Sequence, residues 1–283
     1  MPTVKILFFA DVVGKAGRFI LSQMTRRLKY FHGAEYAIAN IENAAGGFGI
    51  TPEMARKVFA YGIDCQTSGN HIWDRPGIGE FMSQEERLIR PANYPDGAPG
   101  RGYYIGKVGE LPIAVINLMG RTYMYDIECP FRTADRILDE IKNITNLIII
   151  DFHAEATSEK QAMHYYLDGR VSAIVGTHTH VQTADEHVSG RGTAFIGDCG
   201  MTGAFDSILG MNRGPALGRF LTGMPKRLSA AENDVRISGV VVELQPDMYG
   251  RAIKIERFSM AVDLSLPLRN PEEEEVLDAG EGD

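Results

Sequence analysis

Five short apolar runs in this chain each end on residues that can hold a cation or move a proton, and that coincidence constrains the fold more than any other feature. VKILFFA (4–10) is followed by Asp11, and YAIAN (36–40) is followed one residue later by Glu42 and Asn43. IDCQTSG (63–69) leads into Asn70 and His71, NLIIIDF (146–152) into His153, and VSAIVGT (171–177) into His178 and, two residues on, His180. Apolar runs of this length bounded by turn signals read as buried strands. In open α/β sheets, ligands bind outside the carboxyl ends of the strands, where successive loops converge. Four of the seven histidines fall in these loops, whereas His32, His164 and His187 lie elsewhere and read as structural or solvated.

Helical patterns alternate with the runs. Ile20, Met24, Leu28 and Phe31 recur at helical spacing, with Gly33 as a stop. Thr51 and Pro52 predict the start of a second helix, Thr133 that of a third, and the pair Ser158 and Gln161 reads as a capping box for a fourth. RGYYIGKVGELPIAVINLMG (101–120) suits a hairpin turning near Gly109. The alternation predicts a mainly parallel or mixed sheet covered by helices on both faces. The late runs TAFIG, RISGVVVEL and AIKIERFSM predict a second, antiparallel region without long helices between its strands. One domain over residues 1–268 is expected, followed over 269–283 by an acidic tail that reads as solvated and disordered.

Composition removes several function classes. No apolar stretch approaches the roughly 20 residues of a membrane span, and the N-terminus meets Asp11 before any signal-peptide pattern, so a cytoplasmic protein is expected. Cys65, Cys129 and Cys199 are far apart and predict neither a thiolate zinc site nor a disulfide framework. The net charge of −8 argues against a footprint on duplex nucleic acid. Most of that charge lies in the tail, which leaves a small anionic ligand open for the rest. A serine hydrolase lacks its G-x-S-x-G elbow here. Nothing in the composition bears against a homo-oligomer.

Taken singly, Asp11 could cap a helix, and Asn43 and Asn70 could be turn residues. Taken together, two carboxylates, carboxamide oxygens and three imidazoles form a mixed nitrogen and oxygen set suited to manganese, iron or zinc rather than calcium. The set is too large for one ion. Two ions about 3.5–4 Å apart with a bridging carboxylate would use it fully, in the manner of two-metal phosphate-ester hydrolysis. His71, next to Asn70, would face the substrate and either stabilise the transition state or protonate the leaving oxygen. The glycine-rich GDCGMTGAFDSILGMNRG (197–214) reads either as a phosphate or nucleoside contact that includes Arg213, or as a tight surface loop. Gly14 and Gly17 lack a following G-K-[ST] and read as helix entry rather than a P-loop.

The motifs D11-V-V-G, I41-E-N, G69-N-H, H153 and G176-T-H-T-H resemble, in order and spacing, the signature of the calcineurin-like metallophosphoesterases. GTHTHVQTAD and GDCGMTGAFDSILGMNR are similar to the bacterial YmdB-like cyclic-nucleotide phosphodiesterase branch. Val13 stands where the broad superfamily has a histidine ligand, and Glu42 where it usually has an aspartate; both departures resemble that branch. The resemblance implies a four-layer αββα fold, a two-sheet sandwich flanked by helices. It also implies two transition-metal ions, iron or manganese before zinc, held by Asp11, Glu42, Asn43 and His180 on one side and by Glu42, Asn70, His153 and His178 on the other. The implied activity is hydrolysis of small cyclic nucleotides such as 2′,3′-cyclic AMP by a metal-bridging hydroxide. A phosphomonoesterase or nucleotidase on the same site, or a regulatory protein that binds nucleotide and turns it over slowly, are the alternatives.

Overall fold

Strand β1 (Val4–Phe9) shows how the sequence builds its layers, because successive side chains on a strand point to opposite faces. Ile6 and Phe8 enter a core shared with strands of a second sheet, whereas Leu7 and Phe9 pack against helices. In the computed structural model, which describes residues 3–262, this division repeats across two stacked sheets.

The first sheet runs in the order β2 (Asp11–Val12), β11 (Met201–Ala204), β12 (Val235–Gln245), β1, β3 (Tyr36–Asn40), β4 (Cys65–Thr67), with β13 (Arg251–Ala261) on the other edge of β12. The second sheet runs β5 (Tyr103–Val108), β6 (Leu111–Met119), β7 (Leu147–His153), β8 (Ala173–Thr177), β10 (Ala194–Ile196), β9 (His187–Val188). Helices α1 (Gly14–His32) and α2 (Pro52–Ala60) cover the outer face of the first sheet through Ile20, Met24, Leu28, Ala55 and Val58. Helices α4 (Pro130–Ile141) and α5 (Thr157–Leu167) cover that of the second through Ile137, Ile141, Met163 and Leu167. The result is the four-layer αββα sandwich. Among the described residues no helix is long and apolar enough to cross a membrane.

Both sheets are mixed, which corrects the expectation of a separate antiparallel region. Strands β12 and β13 pair antiparallel with each other, but β12 also pairs antiparallel with β1, so the late strands complete the first sheet. Strand β10 joins the second sheet parallel to β8. Helix α6 (Arg213–Thr222) separates β11 from β12, where no long helix was expected, and the short helix α3 (Ile78–Gln84) follows β4. Thr51 caps α2 by accepting from the Met54 N–H at 3.3 Å, as its sequence context predicts. Thr133 does not cap α4. That helix begins at Pro130, whose fixed φ suits a first helical position, and Thr133 is buried one turn inside. Ser158 likewise lies inside α5, and the Glu159 carboxylate in that first turn accepts the Arg121 and Thr122 N–H groups instead. The acidic stretch 269–283 lies outside the described residues.

The parallel strands β1, β3 and β4 of one sheet and β7 and β8 of the other end at the same edge of the sandwich, so the five polar strand ends converge. Within the second sheet, Gly176 in β8 lets the chain just after β10 come close: a Cβ there would lie 1.8 Å from the Gly197 carbonyl oxygen. Gly176→Ala should therefore destabilise the fold by about 1–3 kcal/mol, read as a lowered urea midpoint, while Gly190→Ala, with open space around its Cβ position, should change stability by less than about 0.5 kcal/mol.

Candidate metal centre

Asp11 opens β2 and is fully buried. It caps no helix; α1 begins after Val13 without a side-chain cap. Its Oδ2 accepts the His178 N–H at 3.1 Å. Its Oδ1 has no hydrogen-bond partner among the described residues and lies 4.0 Å from His153 Nδ1 and 4.0 Å from His180 Nε2. A buried carboxylate oxygen without a partner is costly unless a positive charge sits beside it. Burial pushes the Asp11 carboxyl well above its ordinary range.

The three imidazoles are each anchored by one ring nitrogen, leaving the other free: that of His178 lies beside that of His153, and that of His180 lies beside Asn43 and Asp11. His153 Nδ1 lies 2.8 Å from Thr177 Oγ1, and that hydroxyl donates onward to Asp151 Oδ1 at 2.7 Å, so Nδ1 carries the hydrogen. His178 Nε2 sits 3.0 Å from the Glu155 carboxylate, and His180 Nδ1 lies 3.1 Å from the Leu209 carbonyl oxygen. These outer partners select the tautomer and direct the remaining lone pairs inward, the arrangement that metal-ligating histidines require.

Around His153 Nε2 the donors crowd. Glu42 Oε1 lies 3.1 Å away, Asn70 Oδ1 3.1 Å and His178 Nδ1 3.0 Å. With its hydrogen on Nδ1, a neutral His153 presents only the Nε2 lone pair to these three acceptors. A shared cation resolves the conflict, since donors about 2.1 Å from one ion at right angles lie about 3 Å apart. Without one, a proton must serve: burial opposes a charged His153, yet the Glu42, Asp11 and Asp151 carboxylates overcome it and raise its pKa. Glu42 is reciprocally held below its ordinary value by His153 despite burial. Burial lowers His178 to about 3 and also lowers His180, keeping both neutral and competent as ligands. Gly69 leaves room for the group, because a Cβ there would meet His153 Nε2 at 2.3 Å and Glu42 Oε2 at 2.4 Å. The residues present therefore fit a metal centre.

Asn43 turns its amide nitrogen, not its oxygen, towards Glu42 Oε1 at 3.1 Å and His180 Nε2 at 3.2 Å. Ligation through Asn43 requires a half-turn of that amide. His71 is held differently. Its N–H donates to Glu42 Oε2 at 3.1 Å, its Nδ1 is 2.7 Å from Asp74 Oδ2, and its ring meets Phe48 edge-on at 5.1 Å. It lines a cavity of about 300 Å³ together with Glu42, Asn43, Phe48, His178 and His180. A second cavity of about 230 Å³ lies against Asn70 and His178 and is walled by Tyr123 and Tyr125. Arg213 is not brought to the cluster. It opens α6, pairs with Asp206 at 3.0 Å, and lines neither of these cavities, because the glycine-rich segment forms buried strand β11 and then leads outward.

Four supporting residues escaped sequence reasoning. Asp151 closes the apolar run LIIID and accepts from Asn40 Nδ2 at 2.9 Å as well as from Thr177. Lys160 and Asp198 form a buried ion pair at 2.8 Å, and Asp198 accepts the Thr179 N–H at 2.9 Å and its hydroxyl at 2.7 Å. Thr179 is thereby pinned between the two histidines, both of which adopt left-handed backbone with φ of 100° at His178 and 63° at His180. An aspartate ending an all-apolar strand was a readable signal for Asp151. The Lys160 and Asp198 pairing, made across 38 positions, had none.

Comparison with known proteins agrees with this construction. A Bacillus subtilis (strain 168) protein described as 2′,3′-cyclic-nucleotide 2′-phosphodiesterase is 46% identical over 254 residues, covering 90% of this chain and 96% of that protein. The crystal structure of a hypothetical protein from Thermus thermophilus aligns with a TM-score of 0.85 at 36% identity, covering 91% of this chain and 99% of that one. A crystal structure described as a novel phosphatase, from Mycoplasma pneumoniae, aligns with a TM-score of 0.86 at 31% identity, covering 92% and 94% of the two chains. Residues 7–258 match the family described as YmdB-like protein. The chain belongs to the YmdB-like family of metallophosphoesterases.

Proposed function

We propose that this chain is a dinuclear-metal phosphodiesterase that opens small cyclic nucleotides such as 2′,3′-cyclic AMP. The observation that carries this reading is the cluster of His153 Nε2, His178 Nδ1 and the Glu42 and Asn70 oxygens, with Asp11 joined to it through the His178 N–H and His180 through Asn43, and with each imidazole anchored through its outer nitrogen. Asp11, Glu42, Asn43 and His180 would hold one ion; Glu42, Asn70, His153 and His178 would hold the other, with Glu42 between them. The nitrogen and oxygen set suits iron or manganese, and zinc after them. Bound there, two cations polarise the phosphoryl group and lower the pKa of a water from 15.7 towards about 7. The B. subtilis relative's described activity, at 46% identity, supports the cyclic substrate and cleavage on the 2′ side.

In the reaction, the oxygen of water bonds to phosphorus, the bond from phosphorus to the ribose 2′ oxygen breaks, and that oxygen leaves with a proton, giving a 3′-phosphomonoester. On this reading His71 would supply the proton. Asp74 holds its Nδ1 at 2.7 Å, which leaves Nε2 as the nitrogen to act, and His71 lines the cavity shared with Glu42, His178 and His180. Tyr123 and Tyr125, 90% and 54% exposed, offer stacking faces for the base beside Asn70 and His178.

Metal analysis of the purified protein should find two transition-metal ions per chain, and Glu42→Gln should lose metal together with activity; full turnover of 2′,3′-cyclic AMP by metal-free protein would overturn the reading. His71→Ala should keep its metal and lower kcat by about 10²–10⁴-fold, as removal of a general acid does. If it loses metal instead, His71 is a ligand. The protein should hydrolyse bis-p-nitrophenyl phosphate in preference to p-nitrophenyl phosphate; the reverse preference would favour a monoesterase.

A further inference from the structure

We propose that the substrates include oligoribonucleotides ending in a 2′,3′-cyclic phosphate, with the cyclic end at the histidine cluster and the upstream chain lying in a basic cavity beside it. This extends the phosphodiesterase reading and rests on it. The cavity measures about 700 Å³ and is lined by Lys15, Arg75, Arg219 and Arg227, with Glu232 as its one lining carboxylate. Phe48 and Leu228 line both this cavity and the one that holds His71, so the two adjoin.

Three other surface arginines are paired with carboxylates: Arg213 with Asp206, Arg236 with Asp234, Arg257 with Glu186. Among the described residues, no carboxylate lies within 4.0 Å of the charged groups of Lys15, Arg75, Arg219 or Arg227. Arg75 donates to the Phe48 and Ala45 carbonyl oxygens and Arg219 to that of Lys226, contacts that orient each guanidinium without neutralising it. Four cations gathered in one cavity of a chain with net charge −8 form a local field that selects an anion. Guanidinium groups suit phosphate in particular.

The chemistry of the substrate sets the direction. Once the 2′ and 3′ oxygens are closed on phosphorus, a ribose can continue its chain only through its 5′ oxygen, and each added nucleotide brings one phosphodiester charge. A mononucleotide has no such charge to place in the basic cavity. An oligonucleotide does, and Phe48 at the junction offers a stacking face for a penultimate base. Such ends arise when a 2′ hydroxyl of RNA attacks its own 3′ phosphate: the bond from the 2′ oxygen to phosphorus forms, the bond to the 5′ oxygen of the next nucleotide breaks, and that oxygen takes the proton. A reaction of this class would supply the substrate.

The test compares 2′,3′-cyclic AMP with a tetraribonucleotide ending in adenosine 2′,3′-cyclic phosphate on the metal-loaded enzyme. The tetranucleotide should show kcat/KM roughly tenfold higher, falling with salt at a logarithmic slope of about −0.7 per phosphate contacted. Lys15→Gln with Arg227→Gln, both exposed positions away from the histidines, should bring the ratio of the two substrates to near one while turnover of 2′,3′-cyclic AMP is retained. Hydrolysis of 2′,3′-cyclic AMP with no advantage for the tetranucleotide, or an advantage untouched by the double substitution, overturns the extended site and leaves the phosphodiesterase reading intact. Hydrolysis of neither substrate overturns both.

Discussion

The carboxylate of Asp151, buried between the two sheets, is the interaction on which the rest of the site depends. It accepts from Asn40 at the end of β3 in the first sheet and from Thr177 at the end of β8 in the second, so one side chain ties the two layers together at the edge where their strands finish. Thr177 in turn receives His153 Nδ1–H. Burial lifts the Asp151 carboxyl to about 6, and the nearby His153 charge and these hydrogen bonds oppose the rise. A partly satisfied buried carboxylate would cost about 1–3 kcal/mol for each lost partner, so the network favours one relative placement of the sheets over its neighbours.

A second buried device acts on the loop after β8. The Lys160 and Asp198 ion pair draws Thr179 down through both its N–H and its hydroxyl, and the flanking histidines take up left-handed backbone. Such conformations cost of order 1–3 kcal/mol each and persist only where the surroundings hold them. Here they place His178 against His153 and His180 against Asp11, so the two histidines that are neighbours in sequence face different parts of the centre. The outer partners Thr177, Glu155 and Leu209 then leave only the inner nitrogens free, and preorganisation of this kind is what distinguishes a metal centre from a patch of polar residues.

The surroundings of the centre are divided by chemistry. Tyrosines wall the cavity beside Asn70, whereas unneutralised cations line the one beyond Phe48. An aromatic side and a cationic side flanking the histidine cluster are the chemistry that the proposed substrate, with a base at one end and further phosphate at the other, would call for. Net charge conceals this division, because the acidic stretch at the end of the chain dominates the sum.

The ends of the apolar runs were readable because strand length, alternation and the chemistry of the next residue are local properties; Asp11, Glu42, Asn43, Asn70, His71, His153, His178 and His180 stood out as a set, although Asp11, Asn43 and Asn70 taken singly also read as caps or turns. A helix-covered mixed sheet was readable too, since strand and helix periods differ and apolar runs of strand length must be buried, whereas the four-layer αββα class followed from the resemblance of the motifs. The caps of α4 and α5 misled, because Thr133 and Ser158 match capping patterns while helix starts also answer to proline and to neighbouring loops. Arg213 misled because glycine content does not say which way a segment leads. Which sheet β10, β12 and β13 would join, the pairing of Lys160 with Asp198, the bridge from Asn40 to Asp151 and the gathering of Lys15, Arg75, Arg219 and Arg227 were decided only by the tertiary structure. Each joins residues remote in sequence, and such contacts depend on the packing of whole layers rather than on any local preference of the chain.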